Sequence, residues 1–151
     1  MPSRVYHNYN YIANRKCGRY NSVRELNMED QVRAMLIVDD EAGILKTFKE
    51  IFELRGWHVF TVPTGTAALA IIESEKLDIV LLDIKLPGQS GIDTLKEIKL
   101  KRRDLPVIMV TGLGYEDKLV DDSMRLGASG YVSKDVPIRE LIGAINNALT
   151  K

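Results

Sequence analysis

Short apolar runs alternate along the chain with longer stretches in which apolar residues recur every three or four positions. Such runs are typical of buried strands, and the wider spacing is typical of amphipathic helices. The predicted strands are 35–38, 57–62, 78–82, 106–110 and 131–132. The predicted helices are 42–55, 65–75, 90–102, 116–126 and a last helix that begins at Pro137. The pattern is therefore five strands, each followed by a helix.

The central strand has the strongest pattern. Residues 79–82 are four consecutive branched apolar residues without alternation, which indicates a strand covered on both faces, as in a parallel sheet between helices. Right-handed crossovers make this architecture the default for alternating strands and helices. We predict an α/β fold, a (βα)5 doubly wound parallel sheet of five strands.

Two finer predictions concern the helices. Thr64 and Ser90 each lie at the start of a predicted helix, where a hydroxyl can cap a free backbone N–H. In the fourth helix, the spacing of Leu119, Val120 and Met124 predicts that these three side chains face the sheet.

The composition is that of one ordinary globular domain. The 151 residues are 45% hydrophobic and 28% charged. No apolar run approaches the roughly 18 residues that span a bilayer, so no membrane contact is expected. No secretory signal is visible, because the N-terminus lacks an apolar stretch. Cys17 is the single cysteine, so a disulfide framework within the chain is excluded. These features favour the cytoplasm.

Residues 1–34 differ from the rest of the chain. They contain six of the basic residues against three acidic ones, and four of the six tyrosines. Basic residues among aromatics could stack on single-stranded nucleic acid. With little apolar surface, however, a disordered tail or a non-native extension is favoured. The domain of 35–151 then has an excess of three acidic residues, which argues against direct contact with nucleic acid.

Four predicted strands end on residues that can do chemistry. These are Asp39 with Asp40, then Asp83, Thr111 and Lys134. Because the carboxyl ends of parallel strands share one edge of the sheet, three carboxylates, a hydroxyl and an ammonium would converge there. Each alone has a structural explanation, such as a helix cap or a solvated surface lysine. Together they favour Mg²⁺, which prefers oxygen ligands and often binds phosphate as well.

Four segments of the chain together resemble a known protein family. The segments 36–41, 80–88, 108–112 and 130–134 closely resemble the receiver domain of bacterial two-component response regulators. The resemblance covers 35–151 and is nearest the stand-alone type like the chemotaxis regulator. It implies the flavodoxin-like strand order 2-1-3-4-5.

The resemblance also implies a role for each site residue. Asp83 would accept a phosphoryl group from a phosphohistidine, while Thr111 and Lys134 hold the phosphoryl oxygens. The Mg²⁺ ligands would be Asp40, Asp83 and the backbone carbonyl of Lys85, with Asp39 assisting through water. Positioning and charge neutralisation are what phosphoryl transfer requires of a protein.

The resemblance further implies a switch and its partners. Movement of Thr111 toward the phosphate would let Tyr131 rotate inward and would change the surface of the fourth helix, fifth strand and fifth helix. A sensor histidine kinase or phosphotransfer protein would be one partner, and a downstream protein the other. The chain would act as a regulator rather than as an enzyme.

Two positions depart from the family pattern. Asp135 follows Lys134 where the family commonly has a proline with a cis bond, so this loop is expected to be trans or strained. Leu113, two residues after Thr111, has no polar group to orient a hydrolytic water. Slow self-dephosphorylation is therefore predicted.

Three kinds of regulator fit these features. The sequence stops at Lys151, where the last predicted helix is complete, which favours a stand-alone receiver. A receiver cut from a longer DNA-binding regulator is the first alternative. A phosphorylation-independent adaptor is the second, and it is disfavoured because all the required side chains are present.

Overall fold

A parallel five-stranded sheet forms the centre of the computed structural model, which describes residues 32–150. The strands are β1 (Ala34–Val38), β2 (His58–Val62), β3 (Ile79–Leu82), β4 (Val107–Thr111) and β5 (Gly130–Ser133). The helices are α1 (Ala42–Leu54), α2 (Gly65–Ser74), α3 (Gly91–Lys101), α4 (Asp117–Arg125) and α5 (Ile138–Leu149). The order is β2-β1-β3-β4-β5, with every pair parallel, so the predicted fold class is confirmed. Residues 1–31 of the predicted tail, 1–34, lie outside the described residues.

Alternate residues of the strands pack into two separate cores. One core takes Leu36, Val80 and Met109 and is covered by residues of α2, α3 and α4. The other takes Ile37 and Leu81, together with residues of α1 and α5. Because successive strand residues point to opposite faces, two cores mean that helices cover both sides of the sheet. The four residues of β3 are accordingly all buried.

The strand register brings the carboxyl ends of the strands together. Val38 of β1 pairs with Leu82 of β3, so Asp39 and Asp83 follow at adjacent positions. Thr111 at the end of β4 pairs with Ser133 of β5, which Lys134 follows. The Lys134 backbone N–H also donates to the Thr111 carbonyl oxygen, at 2.9 Å. This edge of the sheet therefore holds the chemistry-bearing residues that follow or end β1, β3, β4 and β5.

The helix caps are as predicted, but one inward-facing residue is not. Thr64 accepts from the Ala67 N–H at 3.1 Å, and Ser90 accepts from the Asp93 N–H at 3.2 Å. Met124 is 47% exposed, so the prediction that it faces the sheet is wrong. The buried residue is its neighbour Ser123, whose hydroxyl donates to the Leu119 carbonyl oxygen at 2.7 Å.

None of the helices between residues 32 and 150 combines the length and apolar character required to cross a bilayer.

Candidate functional site

Asp83 lies at the centre of the site. It follows β3 directly, and its backbone N–H donates to the Val38 carbonyl oxygen at 3.0 Å, which holds it against the end of β1. The residue is only 4% exposed. Within the described residues, its Oδ1 is the one buried side-chain oxygen or nitrogen that has no hydrogen-bond partner. A buried carboxylate oxygen without a partner is costly, so the position calls for a bound cation or other ligand.

The start of α3 packs directly against the loop after Asp83. The Gly91 N–H donates to the Ile84 carbonyl oxygen at 2.6 Å. A Cβ atom on Gly91 would overlap the Asp83 carbonyl group and approach the Ile84 Cα. The absence of a side chain at Gly91 therefore permits the contact between the α3 backbone and the Asp83 loop.

The Lys134 ammonium lies among three carboxylates. Its Nζ is 2.7 Å from Asp39 Oδ2, 2.7 Å from Glu41 Oε1 and 3.0 Å from Asp83 Oδ2. The Lys134 side chain reaches this position from the end of β5 and is largely buried. One ammonium thus partly neutralises carboxylates that would otherwise repel one another.

Burial and charge compete in setting the pKa values here. Burial raises the pKa of the Asp39 carboxyl above its usual value, although its hydrogen bonds from Lys134 and the Glu41 N–H act in the other direction. For Lys134, burial alone would lower the pKa of the ammonium. The hydrogen bonds to Asp39, Glu41 and Asp83 outweigh that effect, and the pKa is raised. Lys134 is therefore charged throughout the physiological pH range.

The predicted metal ligands are only partly brought together. Carboxylate oxygens of Asp39, Glu41 and Asp83 all lie within 4.8 Å of one another. Asp40 is exposed and is not part of this group, and Lys85 lies in the loop after Asp83 with an exposed side chain. The sequence pattern does not single out Glu41, although it directly follows the two aspartates, because it lies beyond the strand end and just before the first helix.

Thr111 and Tyr131 lie beside the loop between β4 and α4. Thr111 is fully buried, and its Oγ1 accepts from the Leu113 N–H at 3.2 Å, so its hydroxyl proton remains available for another acceptor. The Tyr131 hydroxyl donates to the Gly114 carbonyl oxygen at 2.8 Å. Tyr115, which sequence reasoning also missed, packs its ring 5.8 Å from that of Tyr131. Its hydroxyl accepts from the Ser133 N–H at 3.2 Å.

The loop after Lys134 has a regular backbone. Cis peptide bonds are absent from residues 32–150, so the bond between Lys134 and Asp135 is trans. The Asp135 N–H donates to the Ser133 Oγ at 3.2 Å, which closes the turn. Lys134 therefore reaches the carboxylates without a proline at the next position.

The donor set fits a magnesium ion. The ligands available are carboxylate oxygens, which Mg²⁺ prefers, and the Asp83 Oδ1 has no other partner among the described residues. The site is open on one side because the Glu41 side chain is 61% exposed, which leaves room for the waters that Mg²⁺ retains. Asp39, Glu41 and Asp83 are thus the carboxylates that could contribute to such a site.

The fold and the site together define a class of protein: a doubly wound α/β domain with an acidic site and a lysine at the carboxyl ends of its strands. Residues 35–146 match the family described as response regulator receiver domain. The chain belongs to this family. It is a phosphoacceptor domain of two-component signalling.

Individual relatives agree with this assignment. The chain is 37% identical over 115 residues to sporulation initiation phosphotransferase F of Bacillus subtilis, covering 76% of this chain and 92% of that protein. It is 38% identical over 117 residues to response regulator SaeR of Staphylococcus aureus, covering 78% of this chain. The chain spans only about half of the SaeR length, with 50% covered.

Solved structures show the same fold. A CheY-like receiver domain protein from Methanospirillum hungatei is 35% identical with a TM-score of 0.75, covering 79% of this chain and 94% of that one. The response regulator TrrA from Thermotoga maritima, solved in complex with Mg²⁺-BeF, is 33% identical with a TM-score of 0.71. That match covers 78% of this chain and all of the other.

Proposed function

We propose that Asp83 accepts a phosphoryl group in a Mg²⁺-dependent reaction, and that this modification changes which protein the domain binds. The Asp83 carboxylate is the nucleophile, and the donor is a phosphohistidine on a sensor histidine kinase or phosphotransfer protein. When bound, Mg²⁺ would neutralise charge between the carboxylate and the incoming phosphoryl group. Asp39 and Asp83 of the carboxylate group would hold it, together with the exposed Asp40 and the Lys85 backbone carbonyl that the family resemblance implies, directly or through water.

Two residues receive the phosphoryl oxygens in this proposal. Lys134 already lies 3.0 Å from Asp83 Oδ2, and its ammonium provides a positive charge beside the bond that forms. The Thr111 hydroxyl proton is available to donate to a phosphoryl oxygen. Lys134 is positioned before the reaction, and positioning is the main contribution a protein makes to phosphoryl transfer.

The unpaired Asp83 Oδ1 is the observation that carries the proposal. Among the described residues, the other buried polar side-chain atoms are satisfied, while this one is left without a partner at the carboxyl edge of the sheet. A related receiver was solved with Mg²⁺-BeF, which supports this chemistry for the present site.

The readout of phosphorylation is proposed at the α4, β5 and α5 surface. Tyr131 lies in β5, and its hydroxyl bond to Gly114 ties that strand to the loop after Thr111. A shift of Thr111 toward a phosphoryl group would move this loop and so alter the surface beside Tyr131. The domain acts as a cytoplasmic regulator that promotes its own phosphorylation, without a substrate of its own.

A stand-alone receiver is the proposed arrangement. Its support is the 92% coverage of sporulation initiation phosphotransferase F. The SaeR match, which covers half of that protein, keeps a longer DNA-binding regulator as the alternative.

The test is intact-mass spectrometry after incubation with acetyl phosphate and Mg²⁺. We expect one added phosphoryl group in the parent chain, lost in Asp83→Asn and lost when Mg²⁺ is chelated. Asp104→Asn is the matched control, because Asp104 is an exposed aspartate in the loop before β4, at the opposite edge of the sheet. No added mass, under conditions that modify a known receiver, would favour a phosphorylation-independent adaptor.

A further inference from the structure

We propose that Glu41 is a positioning residue for Lys134, holding the ammonium at the site when Mg²⁺ takes the carboxylates of Asp39 and Asp83. The proposal rests on the proposed function, because it assumes that Mg²⁺ binds at this site. It assigns a role to a residue that neither strand-end position nor the family resemblance singled out.

The first step is the sharing of the ammonium among three carboxylates. The carboxylate oxygens of Asp39, Glu41 and Asp83 lie between 2.7 and 3.0 Å from the Lys134 Nζ. Glu41 is as near to the ammonium as Asp39 is, at 2.7 Å, and it accepts a hydrogen bond from it.

The second step is the competition that Mg²⁺ introduces. A divalent cation that binds Asp39 and Asp83 would neutralise two of the three carboxylates that pair with Lys134. It would also repel the ammonium. Asp39 and Asp83 are buried at the bottom of the site, whereas the Glu41 side chain is 61% exposed at its rim. Glu41 is thus the carboxylate that can keep its bond to the ammonium when the cation repels the ammonium toward the rim. The ammonium then stays near Asp83.

The third step is the direction of the Glu41 side chain and backbone N–H. It is the N-cap residue of α1, but its side chain makes no capping hydrogen bond. The N-cap residues of α2 and α3, Thr64 and Ser90, make such bonds, while those of α4 and α5, Glu116 and Pro137, do not. The Glu41 carboxylate instead bonds Lys134, and its backbone N–H donates to Asp39 Oδ1 at 2.9 Å. Both polar ends of this residue are therefore directed at the site.

The direct test observes the Lys134 ammonium by ¹H–¹⁵N NMR of lysine side chains. The full chain is saturated with Mg²⁺, without any phosphodonor, and the signal is assigned by its loss in Lys134→Ala. We expect exchange of the ammonium protons with water to become about fivefold faster or more in Glu41→Ala, because a bonded donor becomes free. In Glu41→Gln the exchange rate should lie between those of the parent and Glu41→Ala, since the glutamine amide oxygen still accepts a hydrogen bond.

A matched control separates this contact from a general loss of charge. Glu50 is an exposed glutamate on the same helix, α1, and it is not among the partners of Lys134. Glu50→Ala should leave the exchange rate unchanged. An unchanged rate in Glu41→Ala, or an equal acceleration in Glu50→Ala, would overturn the proposal.

A second measurement distinguishes positioning from direct metal ligation. Calorimetric titration with Mg²⁺ compares the effect of Glu41→Ala in the parent and in Lys134→Ala. Without Glu41, the ammonium falls back on Asp39 and Asp83 and competes with Mg²⁺, so binding should weaken about three- to tenfold in the parent. In the Lys134→Ala background the competitor is gone, and the effect should shrink to about twofold or less.

Other results of the titration contradict the proposal. A loss of about tenfold or more in both backgrounds would make Glu41 a ligand of the metal rather than a positioning residue. If the parent chain does not bind Mg²⁺, this proposal and the proposed Mg²⁺ dependence of Asp83 phosphorylation are both overturned. If Mg²⁺ binds and Lys134 is held as expected, but Asp83 is not phosphorylated, only the proposed function fails.

Discussion

At the scale of single residues, Leu113 is predicted to set the lifetime of the phosphoryl group. It lies two residues after Thr111, its N–H donates to the Thr111 hydroxyl, and its side chain is exposed beside that residue. Its apolar side chain cannot orient a water for attack on the phosphoryl group. We expect Leu113→Asn to shorten the phosphoryl half-life by about tenfold, a small part of what a positioned polar group can contribute to proton transfer.

The measurement is the decay of the added phosphoryl mass after removal of the donor. Leu100→Asn is the control, because Leu100 is also an exposed leucine but lies in α3, outside the site. A half-life of seconds in the parent, or the same half-life in Leu113→Asn and parent, would contradict this role for Leu113.

The sequence predicted the members of the site better than their arrangement. Asp83, Lys134 and Asp39 do meet at the edge of the sheet. Glu41 was not predicted, because its contact depends on how the chain bends after β1, where the alternation of strand side chains no longer applies. Only the three-dimensional path of this loop shows that Asp40 faces solvent while Glu41 reaches Lys134.

At the scale of elements, the packing of α3 against β3 is predicted to depend on Gly91. A methyl group there would overlap the Asp83 carbonyl, so either α3 or the phosphoacceptor loop must move. We expect Gly91→Ala to lower the free energy of unfolding by about 2 kcal/mol, a typical cost of overpacking, and to slow phosphorylation of Asp83. Urea unfolding and the mass assay measure the two effects.

Gly43→Ala is the matched control for that change. Gly43 also lies in the first turn of a helix, but a Cβ there meets no atom within 4 Å. Because alanine is the better helix former, Gly43→Ala should raise the free energy of unfolding by about 0.5–1 kcal/mol. If the two substitutions change stability alike, the steric argument for Gly91 is wrong.

The elements that bury continuous apolar runs were predictable, and the marginal helix was less so. The central strand was expected at 78–82 and is Ile79–Leu82, since four branched apolar residues without alternation are typical of a strand covered on both faces. In α4, periodicity of apolar residues indicated Met124, whereas the buried residue is Ser123. A serine that bonds the carbonyl of Leu119, a turn earlier, can be buried without an unsatisfied hydroxyl, which a hydrophobic pattern does not reveal.

At the scale of the whole molecule, the unit that folds is predicted to need nothing before residue 32. Both cores, all five strands and every side chain of the site lie within 34–149. A domain with its own core is expected to fold alone. A chain of residues 32–151 behind an initiating Met should therefore melt within about 2 °C of the full chain, because a loss of 1 kcal/mol shifts the melting temperature of a domain this size by about 4 °C or more.

Calorimetric melting and the mass assay would test this prediction together. The shorter chain should also be phosphorylated at the same rate within about twofold, since no site residue is removed. A chain that begins at residue 39 is the control: it lacks β1, which pairs with both β2 and β3 and so joins the sheet, and it should not fold. A fall of about 5 °C or more in the 32–151 chain would mean that the preceding residues stabilise the domain. Slower phosphorylation without a change in melting would instead give them a part in the chemistry or in its control.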